Sequence, residues 1–456
     1  MEQAKQNKMG TQSIPKLLLT MSLPAMFSML IQALYNIVDS IFVAQINENA
    51  LTAVSLAFPI QTLILAVSVG TGIGISSLIS RRLGEKRREE ASCAASHGII
   101  LGLASWALFA ILGALFTPVF FNAFTQDTQI VEYGCQYVYV VTIFSFGIFL
   151  SVNIEKSIQA TGNMIYPMCI HLIGAATNLI LDPILIFGLL GFPKLGVLGA
   201  AVATVTGQIL GMLFGLFILF TKNHEIHVSF KGFHFSWQAV KDIYAVGFPS
   251  IIMQAVSSLL TVCLNGILIG FSPTAVSVLG VYYKLQSFVF MPVFGLNQGS
   301  LPVMGYNYGA KNRKRLIHTI KLACIVAFSI MVVGTLIFWG LPGQLLKMFN
   351  ASDSMLSIGI PALRLISLSF LLASINIVLS NLFQSMGCGL RSLIVSLIRQ
   401  LAVILPVAFL LSKVLGVNGV WLAFPVAEIV GFVLSVIFFV GLYRNKIKTM
   451  PEGCGA

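Results

Sequence analysis

Long apolar runs alternate with short polar breaks along the whole chain. They fall at about 17–44, 52–79, 92–116, 130–154, 164–190 and 196–220, then at 243–269, 275–304, 316–340, 355–380, 391–412 and 418–442. Each is near or above the roughly 20 residues that a helix needs to cross a bilayer, so the pattern predicts twelve transmembrane helices. The breaks carry turn-forming residues, as in Asn47-Glu48-Asn49, Gly191-Phe192-Pro193 and Leu341-Pro342-Gly343. The longest polar connection, residues 222–242, separates runs six and seven. It divides the chain into an expected N-terminal bundle (1–221) and C-terminal bundle (243–456), six helices each.

Composition agrees with an all-α polytopic membrane protein. Of the 456 residues 57% are hydrophobic and only 9% charged, against about 25% charged in soluble proteins. The first dozen residues are polar, so no cleavable leader is expected. The net charge of +12 does not point to nucleic acid, because the bases sit between apolar runs. Twenty of the 27 Lys and Arg lie in the N-terminal segment and in 81–88, 222–241, 311–321, Arg391 and 444–448, while the opposite side holds only Lys194, Lys347 and Lys413. The positive-inside rule then puts both termini in the cytoplasm. Seven scattered cysteines without a C-x-x-C pair read as small apolar residues.

The two halves repeat. One constant offset along the chain brings Pro24 onto Pro249, Gly70 onto Gly295, Gly74 onto Gly299, Lys86 onto Lys311, Gln159 onto Gln384 and Gly162 onto Gly387. Six helices per repeat is an even number, so the halves share one orientation and are related by an axis along the membrane normal. Transporters use such repeats to build a central substrate site.

The repeat also isolates residues that packing alone does not require. Asp39 falls opposite Leu264 and Glu155 opposite Ser380. Asp182 falls opposite Leu405, at the slightly shorter local offset that aligns Pro183 with Pro406. An aspartate at the centre of a membrane helix costs roughly 2.5–3.5 kcal/mol on insertion scales. Asn178 precedes Asp182 by four residues and shares its helical face, and Pro183 leaves the carbonyl of Leu179 without its helical donor. Together these make a place for a cation or a proton. Tyr35 and Asn36 likewise share the face of Asp39. Each acid also has a plainer reading as a helix-end or structurally paired carboxyl. For Glu155, beside Lys156, an ion pair stands level with a proton-relay role. Thr204, among small residues, is placed either to reach Asp182 across a close helix contact or to bond its own backbone.

In the C-terminal half Lys284, Arg364, Arg399 and Glu428 lie within apolar runs, as partners of one another or as substrate contacts. His97 and His171 read as packed or interfacial rather than as metal ligands. The chain has no G-x-x-x-x-G-K-[S/T], so no ATP site of that type is expected, nor a metal cofactor, since no H-E-x-x-H occurs. Energy for transport would then come from an ion gradient, H⁺ or Na⁺.

These residues carry a resemblance over about positions 13–443. The chain resembles the multidrug and toxic compound extrusion (MATE) family, in its bacterial branch with the staphylococcal exporter and DinF-type proteins. The bearing pieces are Ser22-Leu23-Pro24, Asn178-x-x-x-Asp182-Pro183, Gln159-Ala160-Thr161-Gly162 and Gly196-x-x-Gly199-Ala200-Ala201. The resemblance implies two six-helix lobes forming a V in the bacterial cytoplasmic membrane. It further implies export of cationic, amphipathic drugs in exchange for H⁺ or Na⁺, by a monomer that is not an enzyme. Asp39, Asn178 and Asp182 match the acid and Asn/Asp positions of DinF-like members, and Glu155 the acid of the staphylococcal type. No acid lies between Ile243 and Gly270, so the NorM-type acid of span seven is missing. A lipid-linked saccharide flippase is the alternative, but it would want a cationic cavity, against Asp39 and Asp182. An intramembrane enzyme or receptor is disfavoured by the missing catalytic cluster.

The charge bias makes a topology prediction. Single cysteines introduced in 81–90, 222–241 and 311–315 are expected to resist an impermeant thiol reagent in intact cells, and labelling of any of the three from outside would reverse the orientation.

Overall fold

The computed structural model describes residues 7–222, 225–228, 234–349 and 351–451, excluding the side chains of Asn36, Ile37, Ser40 and Ala44. Helices account for all regular structure among the described residues. This is what a lipid solvent demands, since every backbone donor and acceptor must be satisfied within its own segment. In order they are α1 (Lys8–Thr11), α2 (Ile14–Ala44), α3 (Glu48–Gly84), α4 (Arg88–Phe124), α5 (Thr128–Ile143), α6 (Phe146–Ala160), α7 (Ile165–Phe187), α8 (Val197–Thr221) and α9 (Trp237–Ile269). There follow α10 (Pro273–Gly309), α11 (Arg313–Gly340), α12 (Pro342–Lys347), α13 (Asp353–Ser367), α14 (Ser369–Ser385), α15 (Gly389–Leu397), α16 (Leu405–Leu415) and α17 (Val417–Leu442). Among the described residues ten spans are long and apolar enough to cross, with Gly389–Leu415 (α15 through α16) counted as one, and the bent pairs α5–α6 (43°) and α13–α14 (44°), each taken as one span, bring the total to twelve. Outward faces such as Leu108, Ile111, Leu115 and Phe116 of α4 are exposed, as lipid contact requires.

The repeat seen in the sequence reappears in the backbone. Asn47 and Ser272, which the repeat offset superposes, each cap a helix by accepting from the N–H three residues on, at 2.7 and 3.1 Å. Asp127 and Ser352 hold the same relation, capping α5 and α13. The left-handed residues also pair: Lys86 (φ 62°) with Lys311 (φ 53°), and Gly162 (φ 93°) with Gly387 (φ 78°).

Two compact units emerge, one of residues 1–7 and 27–251, the other of 8–26 and 252–456. These do not follow the expected cut at 222–242, because the first parts of α2 and α9 each pack with the opposite repeat. The duplicated glycines explain why. In the first unit a Cβ on Gly70 would lie 2.9 Å from the backbone N of Ile251, and one on Gly74 would lie 3.1 Å from that of Gly247. In the second unit a Cβ on Gly295 would lie 2.7 Å from the N of Met26, and one on Gly299 2.8 Å from that of Ser22. Both sets of contacts obey the repeat offset. Only glycine lets the two backbones approach so closely.

Gly74→Val and Gly299→Val are therefore each expected to destabilise the protein by about 1–3 kcal/mol or more, since the clash is with backbone. Gly266→Ala, which meets nothing within 4 Å, should leave the thermal midpoint in detergent unchanged. Equal midpoints for all three variants would refute this account of the contact.

Candidate functional site

The centre of the first unit is built where α7 meets α8. Small residues set the spacing: a Cβ on Gly199 would lie 2.6 Å from the carbonyl carbon of Leu185, and one on Gly207 would lie 2.5 Å from the oxygen of Gly174. This approach brings Thr204 against Asn178. With its amide oriented to suit its neighbours, Asn178 Nδ2 donates to Asp182 Oδ2 at 3.0 Å, and its Oδ1 accepts from Thr204 Oγ1 at 3.1 Å and Thr204 N at 3.2 Å. Thr204 thus bonds Asn178 rather than Asp182 directly. Asp182 and Asn178 are buried, at 0% and 3% exposure.

Helix α2 brings a second carboxyl to this site. Asp39 lies within hydrogen-bonding reach of Asp182, and Tyr35 is close to both carboxyls. Asp39 Oδ1 is buried with no hydrogen-bond partner among the described residues. The side chain of Asn36 lies outside the described residues. Two residues missed by the sequence reading join the cluster: Tyr137 of α5, near Asp39, Tyr35 and Asp182, and Gln61 of α3, whose Nε2 donates to Tyr137 Oη. Tyr137 was detectable by the test that found the acids, because its repeat counterpart is Ala362. Gln61 was not, because Gln286 stands opposite it. On the repeat offsets the other members face Leu260, Leu264, Leu401, Leu405 and Phe424. The cluster belongs to one repeat only.

Glu155 does not join it. Its Oε2 lies 3.0 Å from His171 Nε2, and its Oε1 lies 3.3 Å from Lys156 Nζ and accepts from Gln159 Nε2. Glu155 and Lys156 are 2% and 6% exposed, so both the ion-pair reading and the unexpected histidine partner are realised in a separate buried group.

Of the four charged candidates in the C-terminal half, two come together. Arg399 pairs with Glu428, and Asn376 Nδ2 donates to Glu428 Oε2 at 2.6 Å. Arg399 sits in a π-helical turn, Ile398–Ile404, between α15 and α16. A Cβ on Gly431 would lie 3.0 Å from Arg399 Cδ, so that glycine makes room for the arginine. Lys284 and Arg364 stand elsewhere. Lys284 Nζ lies 6.0 Å from the centre of the Phe349 ring, and Arg364 is tied to Trp339, each donating to the other's carbonyl at 3.3 and 3.0 Å. No group of three or more His, Cys, Asp or Glu that could hold a metal occurs among the described residues.

Comparison with known proteins places the chain in a family. The family model described as MatE matches residues 24–184 and again 249–410. The chain belongs to the MATE family. Multidrug export protein MepA of Staphylococcus haemolyticus is 26% identical over 436 residues, covering 95% of each chain. The "probable multidrug resistance protein NorM" of Thermotoga maritima is 24% identical over 448 residues, covering 96% of each. A solved outward-facing multidrug resistance MATE transporter of the MOP superfamily superposes with a TM-score of 0.89 at 27% identity, over 98% of this chain and 99% of that one. The two matched segments begin at Pro24 and at its repeat counterpart Pro249, so this MATE chain carries the family domain twice.

Thr204→Val keeps the shape of the threonine but deletes its hydroxyl contact with Asn178. It is expected to lower stability by about 1–2 kcal/mol, with Thr204→Ser near wild type. A denaturation midpoint in detergent, compared across the three, checks it.

Proposed function

We propose that this protein is a multidrug efflux transporter of the bacterial cytoplasmic membrane. It exports cationic, amphipathic compounds by alternating access in exchange for protons, with Asp39 and Asp182 as the coupling pair. One observation supports this reading most directly: two carboxyls share a buried site in a single repeat, with no cationic side chain against them among the described residues. Such a pair holds one proton easily but not two bare charges. Two like charges at roughly 4 Å in an effective dielectric of about 20 repel by about 4 kcal/mol. Any part of that repulsion relieved in a second conformation would favour the second conformation when the pair is deprotonated. Tyr35 also stands near both carboxyls, and carboxylate and hydroxyl oxygens would suit sodium as the alternative coupling ion. The relatives' names as multidrug export and resistance proteins support the cargo class.

Asp182→Asn preserves size and hydrogen bonding but removes the titratable proton. The variant is expected to reach the membrane and bind ethidium, yet lose active ethidium efflux by at least about tenfold, as wild type does when a protonophore is added. Asp39→Asn should behave alike. Wild-type efflux by an Asp182→Asn protein expressed at the normal level would overturn the assignment, and efflux that follows sodium but ignores the protonophore would select sodium instead.

A further inference from the structure

The Glu155 group has a composition that an ion pair alone does not require. Glu155 and Lys156 neutralise each other at 3.3 Å, and Gln159 closes the ring by accepting from Lys156 Nζ at 3.0 Å. His171 approaches the same carboxylate at 3.0 Å from α7, and its side chain is 29% exposed where that of Glu155 is 3% exposed. His171 is therefore the member that meets the surroundings. It lies seven residues before Asn178 and eleven before Asp182, and both separations return a helix to nearly the same face. One face of α7 thus carries the histidine and then the two buried groups of the coupling site. On the repeat offsets Glu155 faces Ser380 and Lys156 faces Asn381, so this group also belongs to one repeat only.

We propose that His171 is a second proton-binding residue of the transport cycle, its charged form held by the Glu155 carboxylate, on the same face of α7 as Asn178 and Asp182. This rests on the proton-coupled reading of the protein. Histidine is the side chain whose charge ordinarily changes between pH 5 and 8. A proton taken up at Nδ1 makes the imidazolium, whose Nε2–H is held by the Glu155 carboxylate that Lys156 keeps ionised, and release of one proton restores the neutral imidazole. The surroundings are simple. The elements packed most closely against α7 are α6, α8 and the turn Leu189–Gly191. Of these α6 presents Glu155 and Lys156, whereas α8 and the turn contain no titratable side chain. On α7 itself the others are Tyr166, Cys169 and Asp182.

The test uses the full chain in proteoliposomes, with ethidium as cargo and the pH of the cytoplasmic face varied between 5 and 8. Ethidium binding at equilibrium is measured in parallel as the control for folding. His171→Gln keeps a donor for Glu155 but never charges, and His171→Arg keeps the contact with a fixed charge. Both are expected to bind ethidium, to transport at least about tenfold more slowly at pH 7, and to lose the pH dependence seen in wild type. A merely structural histidine would leave His171→Gln with the wild-type rate and profile, which would overturn the proposal while leaving proton coupling intact. If His171→Gln fails to bind ethidium, His171→Arg decides by the same criterion. A wild-type protein whose transport ignores the proton gradient would overturn both readings.

Discussion

Backbone approaching backbone at glycine is the contact on which this architecture depends. In hydrocarbon, burying apolar side chains yields no solvent-driven gain, so helices associate by close packing and by the few polar contacts that closeness permits. Gly70 and Gly74 of α3 admit α9, and Gly295 and Gly299 of α10 admit α2. The duplicated prolines, Pro24 and Pro249, lie in α2 and α9 between the contacted residues. A proline frees a carbonyl and weakens the helix locally, and each of these lies three residues before the residue at which its helix changes unit.

The same closeness builds the polar site. Thr204 reaches Asn178 only because Gly199 and Gly207 let α8 lie against α7. Asn178 then fixes one carboxyl oxygen of Asp182 without supplying a charge. A neutral amide leaves the carboxyl able to gain and lose a proton, whereas a lysine or arginine in its place would hold it ionised. Glu428 shows the contrast. It is held by Arg399 and Asn376, and a buried acid paired in this way is a structural element whose disruption leaves an uncompensated charge. The two repeats thus share a skeleton, each with a buried ion-paired acid, while the pair of neighbouring carboxyls belongs to the first.

How much of this could be read from the chain depends on the range of the information. The twelve spans were legible because hydrophobic length is set by bilayer thickness, a constraint that each segment meets alone. The duplication was legible because caps, left-handed turns and helix contacts recur at matching positions. Asp182, Asn178 and Thr204 were legible as a group, since spacing on a helix and a run of small residues are local features. The bend within each of α5–α6 and α13–α14 was not foreseen, for no proline stands at either break.

What the sequence determined by itself was the class of protein, the duplication, and which acids lack a counterpart in the other repeat. What tertiary structure decided was who meets whom. Glu155 sits with His171 and Lys156 rather than with Asp182, Tyr137 and Gln61 enter the carboxyl cluster from α5 and α3, and Glu428 pairs with Arg399 rather than with Lys284 or Arg364. The physical reason is that hydrophobic length and helical period are properties of one segment. Contact between side chains depends on the rotation and crossing of two, and those are set by where glycine allows one backbone to touch another.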